Sequence, residues 1–570
     1  MKWIKRGNET TIMDVVLRNM NMTGKSVKAW FTMHSNGEYI IDRMDDACRL
    51  CAKYKDLPVT ICGDYDADGI TSTSILYLGL TWTGFSDVSY RIPKRFSEGY
   101  GLNEKIVDEA KMKDGKGLLI VVDNGIKAFD ALAKAKEKGF EIIILDHHEP
   151  ESNEEGSIIL PNLADTDVII DPEALENSAI FTHYCGAGLA YKFILNLVDS
   201  IDAVRNGILL SLAAIGTVGD VVELREENYV LVRKGIRAMI NGCVTNGLGS
   251  LLRDNELTEH MTSADIGFTL APIINACERM HDGGAEKAVK LLISGLPGEA
   301  VTLETVKLVT ELTENNKKRK ECLTVAKAQA DIILSEMENI KAPIVLYLPN
   351  VLEGIVGLIA SDISGRYKMP AFVVTDAEGQ EGILKGSGRS YVEIDENGVE
   401  SFINIYDIIE ENKDLLSAYG GHDKAAGISF KKDNLEIVQN AFSSYVGEYS
   451  YIDKEIGFYD LEIDAKELTD TISELSKMEP FGNGNSPIIF KINNYSCLPN
   501  LKNENKTVTF CGADKTTARI IGKGSSAIGF GMANEFYDIY PEKLTLYGEL
   551  SNNYFKGSCK PQITFIGFDY

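Results

Sequence analysis

Apolar and polar positions come in repeating blocks along the first 230 residues. Leu57–Gly63 is a short, mostly apolar run followed by Asp64-Tyr-Asp66-Ala-Asp68-Gly69. Gly117–Val122 is a second run, ending in Asp123-Asn124-Gly125, and Glu141–Leu145 is a third, ending in Asp146-His147-His148. Between them, Asn103–Met112 and Phe129–Lys138 carry Ala, Lys and Glu at helical spacing. Short apolar strands alternating with helices predict a parallel sheet buried on both faces. Ligands of such sheets sit beyond the carboxyl ends of the strands. Leu209–Gly219 then reads as a buried helix of small residues that delivers Asp220.

Downstream the pattern changes twice. Glu299–Glu338 is helical throughout and contains Asn315-Asn-Lys-Lys-Arg-Lys320, a basic run suited either to a groove carrying nucleic acid or simply to a solvated helix face. Ala342–Ile428 reads as a second α/β unit, with Ile344–Tyr347 and Ala371–Thr375 as strands. From Ile456 the chain is rich in short β-like runs such as Lys506–Phe510, Leu544–Tyr547 and Ile563–Phe565. A small barrel built from such runs binds single strands by stacking bases on aromatic rings. Tyr495, Tyr554 and Phe555 are the candidates, with core packing the plainer reading for any one of them.

At 570 residues the chain exceeds what one hydrophobic core organises, so several domains are expected. Its 84 acidic and 58 basic residues leave a net charge of −26. Such a balance argues against a protein that coats nucleic acid nonspecifically, because that affinity comes from Lys and Arg neutralising phosphates. It leaves room for an enzyme with a local basic groove. No apolar run is long enough to span a membrane, and the basic opening has no apolar signal core, so a cytoplasmic protein is expected. Ten cysteines are scattered, and Cys48-Arg-Leu-Cys51 stands without the second pair or histidines that a zinc site needs. Ordinary thiols on one helix are expected there.

A single Asp-Gly is most simply a helix cap or a turn. Three strand ends in succession, one of them Asp-His-His, bring five aspartates and two histidines together from distant segments. Carboxylates so crowded stay ionised only where cations neutralise them. Carboxylate oxygens with one or two imidazoles suit manganese, magnesium or a similar ion. Ser387, Arg389 and the glycine-flanked His422 offer donors suited to an oxyanion in the second α/β unit, where Gly420-Gly421 lets backbone amides approach. No Walker-type loop is present, so nothing points to ATP hydrolysis.

Asp64-Tyr-Asp-Ala-Asp-Gly69, Val-Asp123-Asn-Gly, Asp146-His-His148 and Gly-Thr-Val-Gly-Asp220 together resemble the four motifs of the DHH phosphoesterase superfamily. Within it the likeness is to the RecJ family, and it runs over nearly the whole chain. Ile92-Pro-Lys-Arg95 with Glu98-Gly-Tyr-Gly101 resembles the segment with a phosphate-contacting arginine, and Cys185-Gly-Ala-Gly188 the glycine-rich turn. Leu270–Asn275 with Arg279 resembles the close of the first domain. Ser387-Gly-Arg389 and Gly420-Gly-His422 resemble the DHH-associated domain, and Glu479–Asn485 the entry to the final OB-fold. Two positions depart from the pattern: Glu278, where the family usually has Gly, and Val351-Leu352, where it usually has Trp-His. Neither touches a metal motif.

The resemblance implies an α/β chain. Residues 1–50 would form an N-terminal extension packing on the core, 51–295 a parallel-sheet DHH domain, and 296–340 a long connecting helix. A DHH-associated α/β domain over 341–452 and a C-terminal OB-like barrel over 453–570 would complete it. The implied activity is a 5′→3′ exonuclease of single-stranded DNA that uses two divalent ions, manganese with magnesium as the alternative. Asp66, Asp68, Asp123, His147 and Asp220 would hold the ions, with Asp64 either a ligand or a hydrogen-bonding neighbour of one. His148 would meet the scissile phosphate and Asp146 would fix an imidazole. Arg95, Arg279, Ser387, Arg389, Gly421 and His422 would hold a terminal phosphate. A monomer is expected, with a single-strand-binding protein and a helicase as partners in DNA repair and recombination. Two alternatives stand beside this reading: an enzyme of the same superfamily acting on nano-RNA or cyclic dinucleotides, and a catalytically silent replication scaffold.

Overall fold

The computed structural model describes residues 2–22, 40–153, 156–175, 178–257, 259–337, 340–394, 400–445, 456–500, 506–512, 515–536, 539–555 and 558–570. The chain forms two compact units. One comprises Asn36–Val222 and Glu226–Ser450; the other joins Met1–Ser35, Glu223–Arg225 and Tyr451–Tyr570.

In the larger unit, five strands form an all-parallel sheet in the order Asp87–Arg91, Pro58–Cys62, Gly117–Val122, Phe140–Leu145 and Val168–Ile170. Val59, Ile61, Leu118–Val122 and Ile142–Leu145 are wholly buried, which is why these strands read as unbroken apolar runs. From Pro58–Cys62 the chain steps first to one neighbour, Asp87–Arg91, and then crosses to the other, Gly117–Val122. The strand order therefore reverses between these two strands. That switch point is where an open α/β sheet leaves a crevice, and the first two acidic motifs end its two flanking strands.

Helix Ala67–Trp82 is buried along most of its length, and Asp66 caps it: Oδ1 accepts from the amides of Asp68 (2.9 Å) and Gly69 (3.0 Å). Gly69 is required, since a Cβ there would lie 2.3 Å from the Asp64 carbonyl oxygen. Helix Ala203–Gly219 runs buried to its C-cap, Asp220. The helix expected over Asn103–Met112 is only Glu104–Glu109: Asn103 leaves it as the cap, its Oδ1 accepting from Ile106 N at 3.1 Å, and the backbone turns extended at Ala110. Cys48 and Cys51 share helix Met44–Ala52 as buried free thiols, and burial pushes Cys48 up to about 12.

Helix Leu303–Glu336, 34 residues and about 50 Å long, leads to the second α/β layer. Its basic run is divided by the helical period. Asn315, Asn316 and Arg319 are buried, whereas Lys317, Lys318 and Lys320 are exposed. Neither the groove nor the solvated face describes the whole run. The second sheet is mixed, in the order Ala418–Gly421, Ala425–Lys431, Ile383–Arg389, Ala371–Asp376 and Ile344–Tyr347. Among the described residues no helix is long and apolar enough to cross a membrane.

In the smaller unit, a seven-stranded sheet runs in the order Leu461–Asp464, Phe490–Ser496, Lys543–Phe555, Ser558–Asp569, Ser526–Gly529, Thr517–Ile521 and Val508–Cys511. The first residues of the N-terminal stretch are built into this unit. Lys2–Lys5 pairs in parallel with Ile456–Tyr459, and Trp3 stacks on Tyr547 with ring centroids 4.1 Å apart. Arg6 (2.7 Å) and Arg18 (2.5 Å) both pair with the buried Asp460. Tyr495 is 1% exposed and faces the core, with its hydroxyl accepting from Ser525, so it is no stacking platform. Tyr554 is exposed, and the side chain of Phe555 lies outside what the structure describes.

Candidate active site

The switch-point crevice gathers the acidic motifs around one imidazole. His147 Nε2 lies 3.0 Å from Asp123 Oδ1 and 3.7 Å from both Asp68 Oδ2 and Asp220 Oδ2. Four motifs from separate segments thus meet at one nitrogen. Asp68 is oriented by a fifth segment: the amides of Gly186 (2.6 Å) and Ala187 (2.8 Å), in the first turn of helix Gly186–Leu197, donate to its two oxygens. The glycine-rich turn is therefore a carboxylate holder at a helix N-terminus. Space makes glycine necessary here: a Cβ on Gly186 would meet Asp123 Cβ at 2.6 Å, and one on Gly216 would meet Asp68 Oδ1 at 2.5 Å. Asp123 adopts φ +61°, the left-handed region that costs a non-glycine residue energy and clusters at functional sites.

The two histidines are set apart by their surroundings. Burial and the charge of His148 hold His147 below the ordinary imidazole range, so it is neutral and keeps a lone pair for a cation. Burial opposes charge on His148 as well, but the hydrogen bond from Nδ1 to Asp146 Oδ1 (2.7 Å) and that carboxylate's charge raise it to about 9. Asp146 is fully buried. Burial would raise it, yet the His148 bond, the charges of both histidines and the Ile126 amide (2.9 Å) hold it below the usual carboxylate range. Asp146 Oδ1 thus accepts from the His148 ring at 2.7 Å.

Asp123 and Asp220 are pushed well above the carboxylate range, first by burial and then by the charge of Asp68 and Asp66. Asp64 is pushed up by burial and the charge of Asp66, and its Oδ1 accepts from Gly101 N at 3.3 Å. Protons or cations must therefore relieve this cluster, and its donor set fits cations. Asp68, His147 and Asp220 offer ligand atoms within 4.8 Å of one another, and so do Asp123, His147 and His148. Neither set contains Asp64, and the second includes His148, which the family resemblance assigns to phosphate.

Beside this cluster lies a cleft of about 810 Å³ lined by both Asp64-Tyr-Asp66 and the mixed sheet. Arg95, Arg279 and Arg389 converge on it, none of them in an ion pair with a carboxylate among the described residues. Burial and the charge of Arg95 push the Arg279 guanidinium down to about 10, and the same two causes lower Arg389. Arg389 Nη1 donates to Ser387 Oγ (2.6 Å) and the Gly388 carbonyl (2.7 Å), and Arg95 lies 5.0 Å over the Tyr65 ring. Gly421, at φ +135°, and His422 line the same cleft from the mixed sheet that carries Arg389, with His422 exposed and its Nδ1 3.1 Å from Asp423 Oδ1.

Three functional side chains are not evident from the sequence. Tyr100, to which the Glu98-Gly-Tyr-Gly101 segment gives no role of its own, touches both His148 and Asp123. Asn275 Oδ1 accepts from Ala67 N (2.7 Å) and pins the start of the first helix. Glu278, the departure from the family pattern, is 1% exposed and accepts from the amides of Arg95 (3.1 Å), Gly283 (3.1 Å) and Ala285 (2.8 Å). It fixes backbone beneath the arginines and contacts no substrate space. Val351 and Leu352 also stay out of the cleft lining: Val351 packs on the second core, and its carbonyl accepts from Thr375.

Comparison with known proteins follows the same architecture. Residues 58–217 match the DHH family N-terminal domain, 342–448 the DHHA1 domain and 459–566 the RecJ OB domain. The single-stranded-DNA-specific exonuclease RecJ of Haemophilus influenzae is 30% identical over 441 residues, covering 74% of this chain and 72% of that protein. The chain belongs to the RecJ family. RecJ of Salmonella typhimurium is 33% identical over 408 residues, 69% of this chain and 66% of that one. The chain thus spans about two thirds of the length of these curated relatives. A crystal structure of exonuclease RecJ bound to manganese is similar at a TM-score of 0.57 and 28% identity, covering 72% of this chain and 96% of that one. The fold of RecJ from Thermus thermophilus, 23% identical, covers the whole of this chain and 79% of that one at a TM-score of 0.74.

Proposed function

We propose that this RecJ-family chain is a metal-dependent exonuclease that removes nucleotides from the 5′ end of single-stranded DNA. The observation that carries the reading is the adjacency of two opposite sites: a carboxylate–histidine cluster in need of cations, and a cleft of three arginines in need of an anion.

Asp66, Asp68, Asp123, His147 and Asp220 would hold two divalent ions, manganese or magnesium, with Asp64 a hydrogen-bonded neighbour in the same cluster. When bound, such ions act as Lewis acids on a phosphoryl oxygen and make water a stronger nucleophile. The chain's own residues do the rest. Asp146 holds the His148 ring, whose positive charge then stands ready for the oxygens of the scissile phosphate. Arg95, Arg279 and Arg389 take up a terminal phosphate, with Ser387 turning the Arg389 fork toward it and Gly421 and His422 lining the cleft from the same sheet. A phosphate seated there leaves the next phosphodiester to the carboxylate cluster, which gives 5′ polarity without base contacts. Because only a free single strand delivers its end to the cleft, a helicase and a single-strand-binding protein are natural partners, in a monomer acting in the cytoplasm.

The test is manganese-dependent release of mononucleotides from a 5′-phosphorylated single strand, with no release from a blunt duplex. Arg389→Ala is expected to raise KM for the 5′-phosphorylated strand far more than for the same strand with a 5′ hydroxyl. Equal effects on both would remove the terminal phosphate from that site.

A further inference from the structure

We propose that Glu278 and Asp282 are positioning residues for Arg95: by holding its backbone they set where the guanidinium stands in the cleft, and with it the preference for a 5′ phosphate. The inference deepens the exonuclease reading and rests on it for the identity of the ligand, though not for the geometry. The segment after strand Asp87–Arg91 brings Arg95 to the cleft. Three successive amides of this segment each donate to a carboxylate. Lys94 N reaches Glu98 Oε2 (3.1 Å), Arg95 N reaches Glu278 Oε1 (3.1 Å) and Phe96 N reaches Asp282 Oδ1 (2.9 Å). Glu98 belongs to the segment itself, so it is Glu278 and Asp282 that fasten Arg95 and Phe96 to another element.

Glu278 transmits position because it is itself fixed. It is 1% exposed in the last turn of helix Ala271–Met280, and the residue after it is the cleft arginine Arg279. Its Oε1 also accepts from Gly283 N (3.1 Å) and its Oε2 from Ala285 N (2.8 Å), the N-cap and first-turn amides of helix Gly284–Leu292. That helix start is packed so closely that a Cβ on Gly284 would lie 2.3 Å from the Cys277 carbonyl oxygen. One carboxylate thus joins a helix end, a helix start and the Arg95 amide. Moving it would leave buried donors unpaired, which is costly. A guanidinium gives phosphate a directed pair of hydrogen bonds, and it does so with less loss of freedom when its stem is already held. The glycine that the family usually has at this position offers no such acceptor, so the clamp belongs to this chain's own residues.

Glu278→Ala, Arg95→Ala and the double variant test the link, assayed with manganese on one single strand carrying either a 5′ phosphate or a 5′ hydroxyl. Glu278→Ala is expected to raise KM for the phosphorylated strand about tenfold, with KM for the hydroxyl strand within about twofold of wild type. In the Arg95→Ala background it is expected to add nothing further. Equal changes on both strands, a fall in kcat alone, or additive effects in the double variant overturn the proposal, since Glu278 would then only support the fold. Asp282→Ala, at a half-buried position, keeps the test available if Glu278→Ala does not fold. A rise of about threefold, again selective for the phosphorylated strand, is expected from it, and an unselective effect overturns the proposal. Hydrogen exchange supplies a readout that needs no activity. In Glu278→Ala the amides of Arg95 and Phe96 are expected to exchange about tenfold faster, while those of strand Gly117–Val122 keep their wild-type rates. Unchanged exchange at Arg95, or equally faster exchange in both segments, overturns the proposal. If the wild type hydrolyses no strand at all, the exonuclease reading fails and the exchange rates still decide whether Glu278 holds the Arg95 segment.

Discussion

His147 and His148 are adjacent in the chain, yet their surroundings drive their protons apart. Burial and its neighbour's charge keep His147 neutral, while the Asp146 carboxylate raises His148 to about 9. Asp146→Asn removes the charge that sustains His148. Such outer contacts typically cost about 10–100-fold in activity when lost, and here the alkaline limb of the pH–rate profile is also expected to move to lower pH. Measuring kcat across pH for both proteins checks the size and the direction. Glu278 belongs to this scale too. Glu278→Ala leaves one buried and two part-buried amides without their acceptor, an expected destabilisation of about 2 kcal/mol, read as a lower midpoint in urea unfolding. The acids and histidines were legible in the sequence because strand-end aspartates have few other reasons to recur. Glu278, Asn275 and Tyr100 were not, because each works through backbone amides or a ring that only the fold brings near.

At the scale of elements, the site exists because two helices approach the carboxylates more closely than side chains permit. A Cβ on Gly216 would lie 2.5 Å from Asp68 Oδ1 and from Ala187 Cβ. Helix propensity alone would favour alanine there by about 1 kcal/mol, so the sign of Gly216→Ala separates the two effects. The expected outcome is a lower Tm and weaker manganese binding by calorimetry, against the gain that propensity gives. The sheet, the buried helix ending in Asp220 and the long connecting helix were legible as periodicity. The helix Glu104–Glu109 is shorter than its periodicity suggests because Asn103 caps its start and the backbone turns extended at Ala110. The basic run of the long helix is not a single face, because its period turns Asn315, Asn316 and Arg319 inward. The N-terminal strand was not legible at all, since its partner Ile456–Tyr459 lies some 450 residues away along the chain.

At the scale of the whole molecule, the clustered acids link stability to pH and to metal. Asp64, Asp123 and Asp220 hold protons in the folded chain that the unfolded chain has already lost. The folded state binds more protons, so metal-free stability falls as pH rises from the ordinary carboxylate range toward these raised values. Cations replace those protons, and their stabilising effect is expected to grow over the same interval. Melting curves from roughly pH 5 to 8, with EDTA and with manganese, should diverge as pH increases, and parallel curves would contradict this linkage.

The most direct measurement is hydrolysis of single-stranded oligonucleotides labelled at either end, with and without manganese. A 5′-directed exonuclease releases the 5′ label at once as a mononucleotide and shortens the 3′-labelled strand stepwise, only with the metal present, and loses both with His147→Ala. Immediate release of the 3′ label, cleavage of dinucleotides alone, or activity surviving His147→Ala would contradict it.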